Sequence, residues 1–183
     1  MPRRLRLQIP GAAYHVTAKG VAKAALFRDD RDRGRFLELL AEVVSRYEWT
    51  CHAYCLMTTH YHVLLRTPLP NLARGMQRLN SCYAQEFNRR HGEEGHRLTR
   101  RYHDVLVETE GHALELLRYI SMNPVRAGAC SEPRRWRWSS YAAMLGEAPR
   151  PSFLSIEWVL AYFGHDRVRA AKRLAAFVED VSG

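Results

Sequence analysis

The sequence predicts an α+β fold of the ferredoxin-like, split βαβ kind, an antiparallel sheet with helices on one face, extended by short C-terminal helices. Three observations carry this reading. The periodic segments follow the order strand, helix, strand, strand, helix, strand. Only Thr58-Thr59 separates the second strand from the third, a link short enough for an antiparallel hairpin. The third strand alternates, so that His60 and His62 share one face while Tyr61, Val63 and Leu65 line the other. In this topology the third strand is central. The two histidines are then expected mid-sheet on an open face, with the apolar trio under the helices.

Residues 1–11 form a basic lead ending in Pro10-Gly11, read equally as an arm on a partner's backbone or as a loose terminus. Residues 12–19 alternate around Tyr14 and Val16 and make the first strand, closed by Gly20. Asp29 and Asp30 suit the positive end of a first helix, and Phe36, Leu37, Leu40, Val43, Val44 and Tyr47 keep its period. Residues 49–57 and 60–66 are the second and third strands. Pro68 and Pro70 then precede a helix over about 72–90. Its buried stripe is Leu72, Met76, Leu79, Tyr83 and Phe87, and its basic outer side carries Arg74, Arg78, Arg89 and Arg90. A polar, Arg-rich loop over 96–102 leads to the fourth strand, 104–108.

A further helix over 112–122 is limited by Pro124. Ala113, Leu114, Leu117 and Ile120 give it an apolar side, while His112, Glu115, Tyr119 and Asn123 fall on a polar one. Residues 133–141 interleave arginine with Trp136 and Trp138, a mixture that either stacks on unpaired bases or pins the chain to the core. After a linker at Pro149 to Pro151, residues 156–163 and 168–178 read as two short amphipathic helices. The expected division is a basic arm over 1–11, the main domain over 12–146, and a linker with a helical appendage over 147–183.

At 183 residues the chain is long enough for one domain with a proper core. Its formal net charge is +9, and only Lys19, Lys23 and Lys172 among the cations are lysines. An arginine-dominated surface favours a phosphate-bearing partner, because the guanidinium fork matches phosphate oxygens two at a time. Arg3, Arg4, Arg6, Arg97, Arg100, Arg101, Arg134, Arg135 and Arg137 are the candidate contacts to such a partner, with a solvated basic face as the plainer reading of each. Cys51, Cys55, Cys82 and Cys130 lack Cys-x-x-Cys spacing and read as reduced thiols. No apolar stretch approaches 18 residues, so a membrane role is not expected.

Two imidazoles on one strand face make a half-site for a divalent metal. Tyr119 and Asn123, four residues apart, share one side of the later helix. With His60-Tyr61-His62, the segments Tyr83-Ala84 to Phe87-Asn88-Arg89-Arg90, Tyr119-Ile120 to Asn123-Pro124-Val125-Arg126-Ala127-Gly128, and Trp138-Ser139-Ser140-Tyr141 complete a pattern over residues 14–145. This pattern resembles the single-tyrosine HUH transposases, and within them most closely the REP-associated tyrosine transposases. Thr58-Thr59 departs from the Pro-Asn that many relatives carry before the HUH, and Lys19-Gly20 from a common Arg-Gly.

The resemblance implies an HUH-nuclease fold and an enzyme that cuts and rejoins DNA strands through a 5′-phosphotyrosine. It implies His60 and His62 as metal ligands, Asn123 as the polar third ligand, and Tyr119 as nucleophile, with Mg²⁺ or Mn²⁺ as cofactor. It further implies single-stranded or hairpin DNA with REP-like palindromes as partner, a monomer in preference to a dimer, and a cytoplasmic, nucleoid-associated place of work. The alternative is a non-catalytic single-stranded nucleic-acid-binding protein derived from a transposase. An RNA-recognition-type sheet would present stacking aromatics where this strand presents histidines. A histidine-triad hydrolase would need a third alternating histidine where Leu64 stands.

Overall fold

The structure, a computed structural model, describes residues 8–99 and 102–180. Strands β1 (Ala13–Lys19), β2 (Thr50–Leu56), β3 (His60–Arg66) and β4 (His103–Val107) form one sheet in the order β2-β3-β1-β4, every neighbour antiparallel. This is the ferredoxin-like order, and β3 is central as the sequence requires. Helices α1 (Asp30–Arg46) and α2 (Leu72–His91) connect the strands over one face. Asp29 caps α1 by accepting from the Asp32 N–H at 2.9 Å, the role its position suggests.

The side-chain parity of β3 holds. Tyr61 packs on Phe36 of α1, ring centroids 4.6 Å apart, and donates from its hydroxyl to Asn80 of α2 at 2.7 Å. Tyr61, Val63 and Leu65 are fully buried there. Gly75 lets α2 approach closely, since a Cβ at that position would meet the Trp49 ring at 2.3 Å. Arg90, expected on the outer basic side of α2, instead turns to Asp29 and the buried Asp32 and ties α2 to α1.

The opposite face does not stay open. Helix α3 (Glu110–Arg126) packs against β2, β3 and β4, burying Ala113, Leu117 and Ile120. Strand parity states which side chains share a face, and an apolar stripe on a later helix is what covers that face. The helix also overruns its expected limits. It starts earlier because the Thr109 hydroxyl caps it by accepting from the His112 N–H at 3.1 Å. It continues through Pro124, giving up one backbone hydrogen bond near its end, and ends where Gly128 takes a φ of +68°.

Helices α4 (Tyr141–Leu145), α5 (Glu157–Ala161) and α6 (Arg167–Glu179) complete the chain. Leu154, Ile156, Val159, Leu160, Ala170, Leu174 and Val178 join the same apolar cluster as the sheet, and α6 packs on α3 and α4. The tryptophan segment is structural: the Trp138 carbonyl accepts from the Leu56 N–H at 2.9 Å, and the Trp136 indole donates to the Leu56 carbonyl at 3.1 Å. Residues 136–140 thus cover the outer edge of β2. Among the described residues no helix is long and apolar enough to cross a membrane.

Candidate active site

Helix α3 brings its polar stripe onto β3. The Asn123 Oδ1 lies 3.3 Å from the His60 Nε2, and the Tyr119 ring stands edge-on to the His62 ring with centroids 5.3 Å apart. His60 and His62 are themselves 5.0 Å apart and nearly perpendicular. Burial grades across the site: His62 and Asn123 are buried, His60 is half-buried, and Tyr119 is exposed at 38 %. The four residues singled out in the sequence are brought together, with the phenol on the solvent side.

A fifth residue belongs to this group. His15 of β1 sits opposite Leu64 in the register, diagonal to His62 on the same face. Its Nε2 is 3.0 Å from the His62 Nδ1, the rings stack at 5.2 Å, and its ring centroid is 6.0 Å from that of Tyr119. Sequence reasoning passed over His15 as one more strand residue. The available signal was parity: an odd position on β1 pairs with even positions on β3, which places His15 with the histidine pair.

Burial sets the protonation state. It lowers His62 to about 2, helped by the neighbouring His15, His60 and Lys19. It lowers His15 to about 4, with His103 and His112 acting in the same direction. His60 is also lowered by burial, against the opposing bond to Asn123. All three rings are therefore neutral at neutral pH, and a neutral imidazole keeps a lone pair for a metal.

The donor set fits a divalent ion. The His62 Nε2 is buried without a hydrogen-bond partner among the described residues, so its lone pair is free to serve as a ligand. The 3.3 Å between the His60 Nε2 and the Asn123 Oδ1 is near the roughly 3 Å that separates adjacent ligands around a small octahedral ion. No group of three His, Cys, Asp or Glu suited to a metal occurs among the described residues, so the amide oxygen would have to supply the third donor.

The arginines divide. Arg97 pairs with Glu93 at 2.6 Å, donates to the Ala25 carbonyl and lies over the Phe87 ring, while Arg134 pairs with Glu147 at 2.9 Å and Glu179 at 2.6 Å. Both carry structural loads. Arg135 and Arg137 are 68 % and 71 % exposed, beside Glu132 and Asp30. Arg3, Arg4, Arg6, Arg100 and Arg101 lie outside the described residues. A cation that sequence reasoning missed, Arg126, lies against the phenol; its guanidinium is 5.7 Å from the Tyr119 ring centroid, and it makes no ion pair among the described residues. Its position seven residues after Tyr119, on the same helix side, was the signal.

A ferredoxin-like sheet bearing an HUH pair, faced by one tyrosine with an amide a turn later, defines the class of single-tyrosine HUH domains. The family described as "Transposase IS200 like" matches residues 8–123, and the chain belongs to that family. Its fold is that of the REP-associated tyrosine transposase solved in complex with a REP hairpin, at a TM-score of 0.64 and 15 % identity over 85 % of this chain and 92 % of that one. Lower-scoring likenesses are to a candidate transposase of Deinococcus radiodurans R1 (TM-score 0.47, 17 % identity, 65 % and 95 % covered) and to the tRNA(His) guanylyltransferase of Saccharomyces cerevisiae (TM-score 0.49, 11 % identity, 94 % and 74 % covered). No curated protein matches in sequence.

Proposed function

We propose that this transposase-family protein is a metal-dependent single-stranded DNA endonuclease and strand transferase, with Tyr119 as nucleophile. The observation that carries the reading is the docking of one helix face, Tyr119 and Asn123, onto His60 and His62 of the same chain. Docking in cis also supports a protein that works as a monomer. The His60 Nε2, the His62 Nε2 and the Asn123 Oδ1 would hold the ion, and the imidazoles favour Mn²⁺ as a substitute for Mg²⁺. When bound, the ion supplies charge neutralisation at the scissile phosphate.

The rest is done by the chain. The Tyr119 oxygen, exposed beside the histidines, forms a bond to phosphorus as the bond from phosphorus to the 3′-oxygen breaks. The phenolic proton is lost, the 3′-oxygen gains one, and the 5′-phosphate remains on the tyrosine. The ester linkage keeps the bond energy, so the same or another 3′-hydroxyl can reverse the step without an external energy source. Arg126 is placed to accompany the phosphate.

Hairpin DNA is the substrate we favour, extending to this chain what the REP-associated relative of the same fold is bound to. The nucleoid is then its place of work. The test is incubation of labelled hairpins bearing single-stranded flanks with Mn²⁺ or Mg²⁺. Wild type is expected to yield a covalent protein-DNA adduct, and Tyr119→Phe and His62→Ala none. Binding by wild type without adduct in either metal would favour the non-catalytic alternative.

A further inference from the structure

We infer that His15 is a positioning residue that fixes the tautomer of His62, holding its Nε2 as a lone pair aimed at the metal. The inference rests on the metal reading above and concerns a residue that this reading leaves without a role.

The His15 Nε2 and the His62 Nδ1 are 3.0 Å apart, and both rings are buried. Two neutral imidazoles can share only one proton across that contact, so one nitrogen donates and the other accepts. In the first arrangement the His62 Nδ1 carries the proton and donates to His15, which leaves the His62 Nε2 as a bare lone pair. In the second, the His15 Nε2 donates, and the His62 Nε2 must then carry a proton.

The surroundings discriminate between them. The His62 Nε2 is buried with no hydrogen-bond partner among the described residues. A proton there would be a buried donor with no acceptor, and no cation could relieve it. A lone pair there is satisfied once a divalent ion binds. His60 is held differently: its Nε2 faces the Asn123 amide oxygen at 3.3 Å and donates to it, and its Nδ1, 3.1 Å from the Thr59 hydroxyl, accepts, so the lone-pair reading applies to His62 alone. Of the pair, only His62 has its Nδ1 occupied by a neighbouring side chain and its Nε2 without a partner among the described residues. His15 reaches His62 because β1 is the sheet neighbour of β3, and diagonal residues on one face of an antiparallel pair are within reach of long side chains.

The role is separable from catalysis. His15 contacts no donor expected to touch the ion apart from His62, and outer partners of ligating histidines typically contribute 10- to 100-fold in metal affinity. A residue that merely filled space would be replaceable by an apolar ring of similar size.

The test uses the full-length protein without DNA. Long-range ¹⁵N–¹H correlation spectra of the imidazoles read the tautomer directly, with no metal present. Wild type is expected to show His62 protonated on Nδ1 and bare on Nε2; protonation on Nε2 would overturn the inference whatever the metal does. Mn²⁺ titration followed by electron paramagnetic resonance supplies the second readout. His15→Phe, which keeps the ring volume but cannot accept, is expected to bind Mn²⁺ about 10- to 100-fold more weakly. His15→Gln, which restores an acceptor oxygen, is expected to recover part of that loss. Equal affinity of wild type and His15→Phe would overturn the inference and leave the metal reading standing. Failure of wild type to bind Mn²⁺ would overturn the metal reading, and this inference with it. Should either variant fail to fold, the wild-type tautomer still decides.

Discussion

The Asn123 Oδ1 lies 3.3 Å from the His60 Nε2, so helix α3 is fastened to strand β3 one turn beyond the tyrosine. That contact fixes where Tyr119 stands relative to both histidines. Asn123→Ala removes the amide oxygen and leaves Asn123's neighbours in place. Loss of an outer-shell partner typically costs 10- to 100-fold in metal affinity, and loss of a ligand should cost at least as much. Adduct formation by Asn123→Ala is expected to need at least about tenfold more Mn²⁺ than wild type, read from adduct yield against metal concentration.

Arg126 stands over the Tyr119 ring without an ion-pair partner among the described residues. Arg126→Gln is expected to weaken binding of hairpin DNA to a similar degree across sequences and to lower the salt dependence of binding by about one phosphate contact. Mn²⁺ affinity without DNA should not change. A variant that binds DNA with the wild-type salt dependence would remove Arg126 from the site.

Three buried histidines link stability to pH. His15 and His52 are lowered by burial to about 4, and His62 to about 2, against an ordinary value near 6.5. Below pH 6.5 the unfolded chain takes up protons that the folded chain refuses, so stability falls as pH falls through that range. Between pH 7 and pH 5 each group is expected to cost about 2 kcal/mol. Urea unfolding in EDTA at the two pH values measures the sum, and His52→Phe, remote from the site, should reduce the dependence by one group's share.

Gly75 faces the Trp49 ring at a distance that leaves no room for a methyl group. Gly75→Ala forces α2 or the indole to move and is expected to destabilise by about 1–3 kcal/mol in spite of alanine's better helix propensity. Denaturant unfolding measures the loss. A neutral or stabilising result would show that the two elements part easily.

Much of this was legible in the chain. The alternation of β3 and the four-residue spacing of Tyr119 and Asn123 are local patterns, and both hold in the fold. What local patterns do not carry is the partner on the far side. Nothing within residues 112–122 states that their apolar stripe lies across the histidine face, and Arg97 and Arg134 look free until Ala25 and Glu179, 72 and 45 residues away, fold against them. Trp136 and Trp138 read equally as base-stacking platforms until their backbone meets the edge of β2. His15 was hidden for the same reason, since its meaning depends on which strand lies beside β1.

The central claim is that Tyr119 attacks DNA while held against His60 and His62. Peptide mapping by mass spectrometry of the adduct trapped on a hairpin substrate in Mn²⁺ tests it most directly. The expected result is a 5′-phosphonucleotide on the peptide containing Tyr119, absent from Tyr119→Phe. An adduct on another tyrosine, or one that persists in Tyr119→Phe, would contradict the account.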